Sequence, residues 1–331
     1  MPSAPTALPS SRQTPLPFHP IPTILRRQVN RSNSELAQSL VHSYQQGGAI
    51  NHVDGKNLPS KSAITSITCK LLQLVFPGFF EERLLHSSEL TTETTLLVGE
   101  VRQRLEIEIS KSLEYNPPEN TQRSELTTLS RQITADLIGS IPCVREILQT
   151  DVEAAYNGDP AALSSEEVIV AYPFVEAIAV QRLAHELYLR EVPLIPRIMT
   201  EWAHGRTGMD LHPGATIGPY FFVDHCTGTV IGETTTIGSR VKMYQGVGLV
   251  ARSLSGGQAL RGQKRHPTLE DRVTVYAGAT IMGGDTVVGS GSTIGANVFL
   301  THSVPANSLV LQEDARVKVM LKAERPVDFQ I

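Results

Sequence analysis

Three residues near the middle of the chain have the types and spacing needed for acid–base chemistry. Asp224 and His225 are adjacent, and Asp210 lies 15 residues before His225. An unperturbed imidazole has a pKa of about 6.5, so a histidine can accept the proton of a weakly nucleophilic hydroxyl near neutral pH. A carboxylate bonded to its second ring nitrogen would fix its tautomer and stabilise the imidazolium ion. These residues therefore predict a general base with an acidic partner.

Further charged side chains could hold a small zwitterion such as an amino acid. Asp159 and Asp224 are candidate partners for an ammonium group. A guanidinium can hold both oxygens of a carboxylate, which makes Arg265 the candidate for the opposite end. The adjacent His266 could donate a hydrogen bond to an oxyanion or help to hold the substrate.

These residues lie within or beside a repeat in which aliphatic residues recur in steps of six. This period fits neither an α-helix nor a strand with alternating faces, and is typical of hexapeptide β-helix repeats. Three six-residue sides make one triangular coil of about 18 residues, in which the aliphatic side chains point inward and backbone amides pair with the next coil. Asp210 and His225 could therefore approach each other across stacked coils. The repeating positions are Ile217, Val223, Ile231, Ile237, Met243, Leu249, Leu269, Val275, Ile281, Val288, Ile294 and Leu300.

The repeat is interrupted by a polar, basic and glycine-containing stretch at residues 250–266. A packed prism cannot bury such a segment, so we expect it to leave the coils as a protruding loop. Loops on rigid scaffolds commonly carry function. Arg265 and His266 stand where this loop returns to the coils.

The part of the chain before the repeat is predicted to be α-helical. Ile64, Ile67, Leu71 and Leu74 form one stripe at helical spacing. The predicted fold class is thus α+β, with an N-terminal α-helical domain followed by a parallel β-helix of hexapeptide repeats. The predicted helices cover 63–76, 94–113, 124–155 with an interruption at Pro142, and 164–188.

Four segments are expected along the chain. The first 30 residues carry seven prolines, so the opening segment is predicted to be disordered or weakly ordered rather than a signal peptide. The segments are an N-terminal extension at 1–58, the α-helical domain at 59–204, the β-helix with its loop at 205–312, and a C-terminal tail at 313–331.

Composition argues against several classes of function. The formal net charge is −4 and there is no long Lys/Arg run, so nucleic acid is not an expected partner. The longest apolar stretches are too short to span a bilayer, so no membrane association is expected. Three cysteines without metal-ligand spacing suit a reducing cytoplasm, which is the predicted location.

The motifs resemble those of serine acetyltransferases, most specifically over residues 155–312. Tyr276-Ala-Gly-Ala-Thr-Ile281 is the counterpart of the family's G-A-G-A-x-I. The other matching stretches are Asp210-Leu-His-Pro for D-[IL]-H-P, Asp224-His-Cys-Thr-Gly for D-H-[AG]-T-G, Val230-Ile-Gly-Glu233 for V-[VI]-G-E, Arg265-His-Pro for R-H-P and Asp159-Pro-Ala for D-P-A.

This resemblance implies a left-handed β-helix and direct transfer of the acetyl group of acetyl-CoA to the hydroxyl of L-serine. The products would be O-acetyl-L-serine and CoA, in the first step of cysteine biosynthesis. Acetyl-CoA is then a co-substrate, and no metal is expected. The implied roles are catalysis by His225 and Asp210, serine binding by Asp159, Asp224, Arg265 and His266, and lining of the acetyl-CoA channel by Ala277 and Ala296.

The resemblance also implies an assembly and a partner. The family's active site lies between neighbouring subunits, so a homotrimer or a dimer of trimers is expected. Family members that dock on cysteine synthase typically end in isoleucine, which makes Ile331 a candidate contact with that enzyme.

Three departures and several alternatives accompany this interpretation. The 250–266 loop resembles a long-loop subgroup, the N-terminal extension is longer than in short members, and Cys226 replaces a small residue beside His225. A thiol there suggests a covalent acyl-enzyme, although direct transfer is favoured. The alternatives are another hexapeptide acyltransferase acting on a sugar or amine, and a non-catalytic regulator of cysteine synthase. A third is a γ-carbonic-anhydrase-like zinc enzyme using His212, His225 and His266.

Overall fold

The computed structural model describes residues 31–46, 48, 50–118 and 122–313. The proline-rich residues 1–30 and the predicted contact Ile331 lie outside the described residues. The chain divides into two compact units, one ending at Gly55 and the other starting at Lys56. The limits of the four predicted segments remain a prediction.

The N-terminal unit contains one described helix, within the segment predicted to be disordered or weakly ordered. Helix α1 spans Asn33–Gln45 and buries none of its side chains. The Ser32 hydroxyl accepts a hydrogen bond from the Glu35 amide, and the Glu35 carboxylate accepts one from the Ser32 amide. This reciprocal capping satisfies amides that the first helical turn leaves unpaired, which explains why the helix begins there.

Six further α-helices among the described residues precede the strands of the second unit. The predicted stripe of α2 is confirmed, with Ile64, Ile67 and Leu71 buried. No single helix of the described residues is long and apolar enough to cross a membrane, and α5 with α6 meets that test only as a pair bent by 75°. The helices are α2 Lys61–Val75, α3 Leu90–Tyr115, α4 Leu126–Gly158, α5 Ser165–Ala171, α6 Pro173–Leu189 and α7 Ile195–Thr207.

Two helix predictions were wrong at prolines. Pro142 does not interrupt α4, which continues through it as one helix of 33 residues. The predicted helix over 164–188 is instead two helices, because Pro173 begins α6 and the preceding Tyr172 has extended backbone angles (φ −84°, ψ 120°). Steric contact with the proline ring disfavours the helical conformation at the preceding residue.

The predicted parallel β-helix is confirmed. Fourteen short strands among the described residues form three parallel sheets, and every aliphatic position of the six-residue repeat is buried. One inward column runs from Leu211 through Ile231, Leu249 and Ile281 to Leu300, each paired with the next coil. Sheet A contains β1 Asp210–Leu211, β4 Val230–Ile231, β7 Gly248–Val250, β10 Thr280–Met282 and β13 Phe299–Leu300. Sheet B contains β2 Thr216–Ile217, β5 Thr236–Ile237, β8 Thr268–Leu269 and β11 Val287–Val288. Sheet C contains β3 Phe222–Val223, β6 Lys242–Met243, β9 Thr274–Val275, β12 Thr293–Ile294 and β14 Leu309–Val310.

A buried ion pair ties the helices to the first coil. Arg182 of α6 contacts both oxygens of Asp151 of α4, at 2.8 and 3.0 Å. The same guanidinium donates to the carbonyl oxygens of Ile217 and Gly218, and Asp151 accepts a hydrogen bond from the Phe221 amide. A guanidinium suits this position because its planar fork can satisfy several acceptors at once. The pair therefore fixes α4, and the Asp159 that follows it, against the β-helix.

Candidate active site

The predicted site residues lie along two different edges of the triangular prism. The corners between sheets C and A (224–229, 244–247, 276–279 and 295–298) form what we call the His225 edge. The corners between sheets A and B (212–215, 232–235, 251–267 and 283–286) form the Arg265 edge. Backbone hydrogen bonds stack the corners of the His225 edge, for example from Gly246 to Thr227 and from Asn297 to Ala277.

His225 is presented to solvent by an unusual turn. His225 and Cys226 both have positive φ, at 61° and 59°, although neither is glycine. Such backbone angles are strained in residues with a side chain and often occur at functional sites. The imidazole is 69% exposed, and its Nδ1 lies 3.3 Å from Asp224 Oδ1. The turn thus holds the predicted base outward with an acidic neighbour.

The thiol of Cys226 is directed the opposite way. Cys226 is 1% exposed, and burial raises the pKa of its thiol to about 12. The thiolate is the nucleophilic form, and it is scarcely populated near neutral pH at such a pKa. Cys226 therefore packs in the core beside the base rather than serving as an acyl carrier.

Asp159 joins the His225 edge from the end of α4. Its carboxylate accepts hydrogen bonds from the Tyr172 hydroxyl at 2.5 Å and the Ala161 amide at 2.9 Å. These bonds lower the pKa of Asp159, with smaller contributions from His225 and Lys242. Lys242 also donates to the Gly158 carbonyl at 2.6 Å. The result is an ionised carboxylate near the imidazole, held by Tyr172, a neighbour of this candidate site that sequence reasoning missed.

Asp210 lies on sheet A, between the two edges. It pairs in register with Val230, in the strand that begins immediately after the His225 turn. Its Oδ1 lies 3.4 Å from an Nη atom of Arg197 of α7. Within the described part of the chain, no hydrogen bond or ion pair joins Asp210 to His225, so their catalytic pairing remains a prediction.

On the Arg265 edge, the Arg265 guanidinium pairs with a carboxylate. The end of the 250–266 loop is held by a hydrogen bond to a threonine hydroxyl. Arg265 forms an ion pair with Glu233, which also accepts a hydrogen bond from the Tyr188 hydroxyl at 2.8 Å. The Arg265 amide donates to Thr234 Oγ1 at 2.9 Å, and Lys264 donates to the Thr234 carbonyl at 2.6 Å. The loop therefore returns to the coils at a defined position.

His266 is a buried neutral imidazole whose tautomer is defined by its partners. Its Nδ1 accepts a hydrogen bond from the Thr234 backbone amide at 3.1 Å, so the proton must reside on Nε2. Burial, reinforced by Arg265, lowers the pKa of His266 to about 4. Its ring occupies the space in which a Cβ at Gly232 would stand, only 2.0 Å from Cδ2. His266 is thus a fixed N–H donor, as an oxyanion or substrate contact requires.

The low pKa of His266 makes stability depend on pH. In the unfolded chain the imidazole takes up a proton below about pH 6.5, whereas in the folded protein it does so only below about pH 4. The folded state therefore loses stability as the pH falls through this window. From the two pKa values, we expect about 2 kcal/mol between pH 7 and pH 5. Urea unfolding of wild type and His266→Asn at both pH values, at one protein concentration, measures it. An equal pH dependence in the two proteins would contradict a neutral buried His266.

A single subunit does not bring His225 together with Arg265 and His266. The His225 edge and the Arg265 edge are separated by the width of sheet A. At about 3.3 Å per residue, a six-residue side is at most roughly 20 Å wide. His225 on the one hand, and Arg265 with His266 on the other, thus lie at opposite borders of sheet A.

Ala277 and Ala296 lie on the His225 edge, two and three coils above the base. Ala277 is half-buried and Ala296 is exposed. Among the described residues, neither alanine's amide has a hydrogen-bond partner. Tyr276, which replaces a glycine of the family pattern, stacks on Tyr244 with ring centroids 5.1 Å apart. The His225 edge therefore presents unpaired backbone amides next to two stacked tyrosine rings.

Known proteins similar to this chain decide its family. No family model matches the chain. A relative named serine acetyltransferase, plasmid, from Synechococcus elongatus is 42% identical over 275 residues, which cover 78% of this chain and 83% of the relative. The chain belongs to the serine acetyltransferase family.

Solved structures of family members share the fold. Serine acetyltransferase isoform 3 of Entamoeba histolytica, in complex with cysteine, has a TM-score of 0.67 and 30% identity, covering 87% of this chain and 95% of that one. Serine acetyltransferase 1 of the same organism, in complex with L-cysteine, has a TM-score of 0.65 and 32% identity, covering 84% and 97%. The β-helix of this serine acetyltransferase homologue is accordingly left-handed.

Within one subunit of this family member, the three histidines of the zinc alternative do not converge. His225 lies on one edge, whereas His212 and His266 lie on the other, each with Nδ1 accepting a backbone N–H. A possible metal-binding group in the described residues is instead Glu201, His204 and Asp210. Because the Nδ1 atoms of His212 and His266 each accept a backbone N–H, the proton of each ring lies on Nε2 and neither ring has a nitrogen lone pair free for zinc, so the geometry favours acyl transfer over a three-histidine zinc site.

Proposed function

We propose that this acyltransferase moves the acetyl group of acetyl-CoA directly to the hydroxyl of L-serine, giving O-acetyl-L-serine and CoA in cysteine biosynthesis. The observation that carries the proposal is 42% identity over most of the chain to a serine acetyltransferase. The outward imidazole of His225, beside Asp224, is suited to accept the proton of the serine hydroxyl. The N–H donors of Arg265 and His266 are suited to bind a carboxylate and an oxyanion.

In the proposed reaction, His225 removes the proton of the serine hydroxyl as its oxygen attacks the thioester carbon. The tetrahedral intermediate carries an oxyanion, which the Nε2–H of His266 stabilises. The C–S bond then breaks, and the imidazolium returns its proton to the leaving thiolate of CoA. Asp210 is assigned to orient the imidazole. The high pKa of the Cys226 thiol supports direct transfer without an acyl-enzyme.

The substrate ammonium and carboxylate are assigned to opposite groups. Asp159 and Asp224 bind the ammonium, because both carboxylates lie close to His225. Arg265 binds the carboxylate, and Ala277 and Ala296 offer amides to the pantetheine arm of acetyl-CoA. No step of this mechanism requires a metal ion.

The active site is proposed to form between subunits of a homotrimer, alone or as a dimer of trimers. The separation of the two edges within one subunit supports this assignment. In a ring with threefold symmetry, the His225 edge of each subunit faces a different edge of its neighbour. Each site then takes its base, His225, from one subunit and its carboxylate clamp, which we define as Arg265, from the next.

An acceptor panel tests the function. Thiol release from acetyl-CoA is measured with L-serine, L-homoserine, simple sugars or no acceptor, and the product is identified by mass spectrometry. We expect L-serine to give the highest kcat/KM and a product with the mass of O-acetylserine. Preference for a sugar or amine would establish the other acyltransferase alternative, and no serine-dependent release would favour a purely regulatory role.

A contact with cysteine synthase through Ile331 is a separate proposal, supported by the resemblance to docking family members. Deleting Ile331 is expected to abolish binding to a cysteine synthase in calorimetry while serine acetylation persists. Unchanged affinity would end the proposal.

The proposed location is the cytoplasm. Cys69, Cys143 and Cys226 are all free thiols, which suits a reducing compartment. Acetyl-CoA as a co-substrate supports the same location.

A further inference from the structure

A chain of hydrogen bonds reaches Arg265 from the helical domain. Tyr188 of α6 donates to Glu233 Oε1, while Glu233 Oε2 binds the Arg265 guanidinium. Each carboxylate oxygen of Glu233 therefore has its own partner, so the carboxylate cannot rotate without breaking one of the bonds. Tyr188 lies outside every motif of the family resemblance.

The packing around Tyr188 keeps its hydroxyl directed at Glu233. Its ring meets the His212 ring edge-on, with centroids 5.9 Å apart. A Cβ at position 214 would stand 2.8 Å from the Tyr188 ring, so the glycine there leaves room for it. Burial and the neighbouring carboxylate raise the pKa of Tyr188 to about 12, so the phenol remains a donor at neutral pH.

Among the residues that the structure describes, Arg265 has a buried donor group without a partner. Its Nη2 binds Glu233, whereas its buried Nη1 has no hydrogen-bond partner among the described residues. A buried donor without an acceptor is unfavourable, and a guanidinium presents parallel N–H groups that match the two oxygens of a carboxylate. Arg265 therefore keeps hydrogen-bonding capacity for a carboxylate beyond its bond to Glu233.

We propose that Tyr188 and Glu233 are positioning residues that orient Arg265 toward the carboxylate of the amino-acid substrate. The inference rests on the proposed function and extends it to two residues that need not touch the substrate. Glu233 turns the guanidinium so that Nη1 faces the substrate, and Tyr188 fixes Glu233. Both residues then determine the preference for an acceptor with a free carboxylate.

The test compares two substrates that differ only at the carboxylate. Tyr188→Phe keeps the ring and its packing but removes the hydroxyl. With L-serine, its KM is expected to rise roughly 3- to 10-fold, which is the size of one typical net hydrogen bond, with kcat and the acetyl-CoA KM unchanged. With L-serinamide, which lacks the anionic carboxylate, wild type and variant should have equal kcat/KM.

A second variant and a control sharpen the test. Glu233→Ala should raise the serine KM at least as much, and the double variant should lose no more than Glu233→Ala alone, because both residues act through one contact. Tyr220→Phe is the matched control, since Tyr220 lies at a corner between sheets B and C and contacts Arg240. This substitution should leave the kinetic constants for L-serine and L-serinamide unchanged.

Each remaining outcome decides the inference. Equal losses on serine and serinamide, or an unchanged serine KM, would overturn the positioning role while leaving the proposed function intact. A wild-type protein that does not acetylate serine would overturn the proposed function and this inference together.

Discussion

Replacing His225 with alanine is expected to lower kcat by at least about 100-fold, because positioned acid–base catalysis contributes roughly 10²- to 10⁴-fold in rate. The hydroxyl of serine is a weak nucleophile without a base. Within the described residues, His225 is the exposed histidine of the His225 edge, adjacent to Asp224. Steady-state kinetics at saturating acetyl-CoA and serine measure the loss, and size-exclusion chromatography checks that the assembly persists.

His302→Ala is the matched control for this variant. His302 is also an exposed histidine of the β-helix, but it carries no motif. Its replacement should leave kcat unchanged. Near-normal turnover in the His225 variant would show that the base lies elsewhere.

Mixing two impaired variants is expected to restore activity. A subunit with His225→Ala retains its carboxylate clamp, and one with Arg265→Ala retains its base. If each site combines His225 of one subunit with Arg265 of the next, about a quarter of the sites in randomly mixed trimers contain both wild-type residues. The two forms are co-expressed with different tags, and activity is measured at a serine concentration far below either KM.

The same design separates a shared site from a site within one subunit. If each active site used His225 and Arg265 of the same subunit, every site in the mixed assembly would lack one of these two residues. Activity would then stay at the level of the single variants. A subunit carrying both substitutions, mixed with either single variant, is the control. It should restore no activity in either case.

The β-helix could be predicted from the sequence because its period is unlike that of any other fold. Ile217, Val223 and the ten later positions of the repeat are all buried, as the spacing requires. The loop at 250–266 followed from the same rule, since its polar residues could not enter the prism. Asp159, Asp224 and His225 came from motifs, and the structure assembles them at one edge.

The contributions of the helical domain could not be predicted in the same way. Tyr172 and Tyr188 reach the site from α5–α6, and their distance from the coils depends on how helices pack on the prism. Six-residue spacing carries no information about that packing. Pro142 shows a related limit, since α4 is long enough and sufficiently packed to continue through a residue that removes one backbone donor.

The most direct measurement is a structure of the assembled protein with L-serine bound. We predict that the serine hydroxyl lies within hydrogen-bond distance of His225 of one subunit while its carboxylate contacts Arg265 of a neighbour. If the assembly kept these two side chains far apart, both within and between subunits, the proposed site would be contradicted.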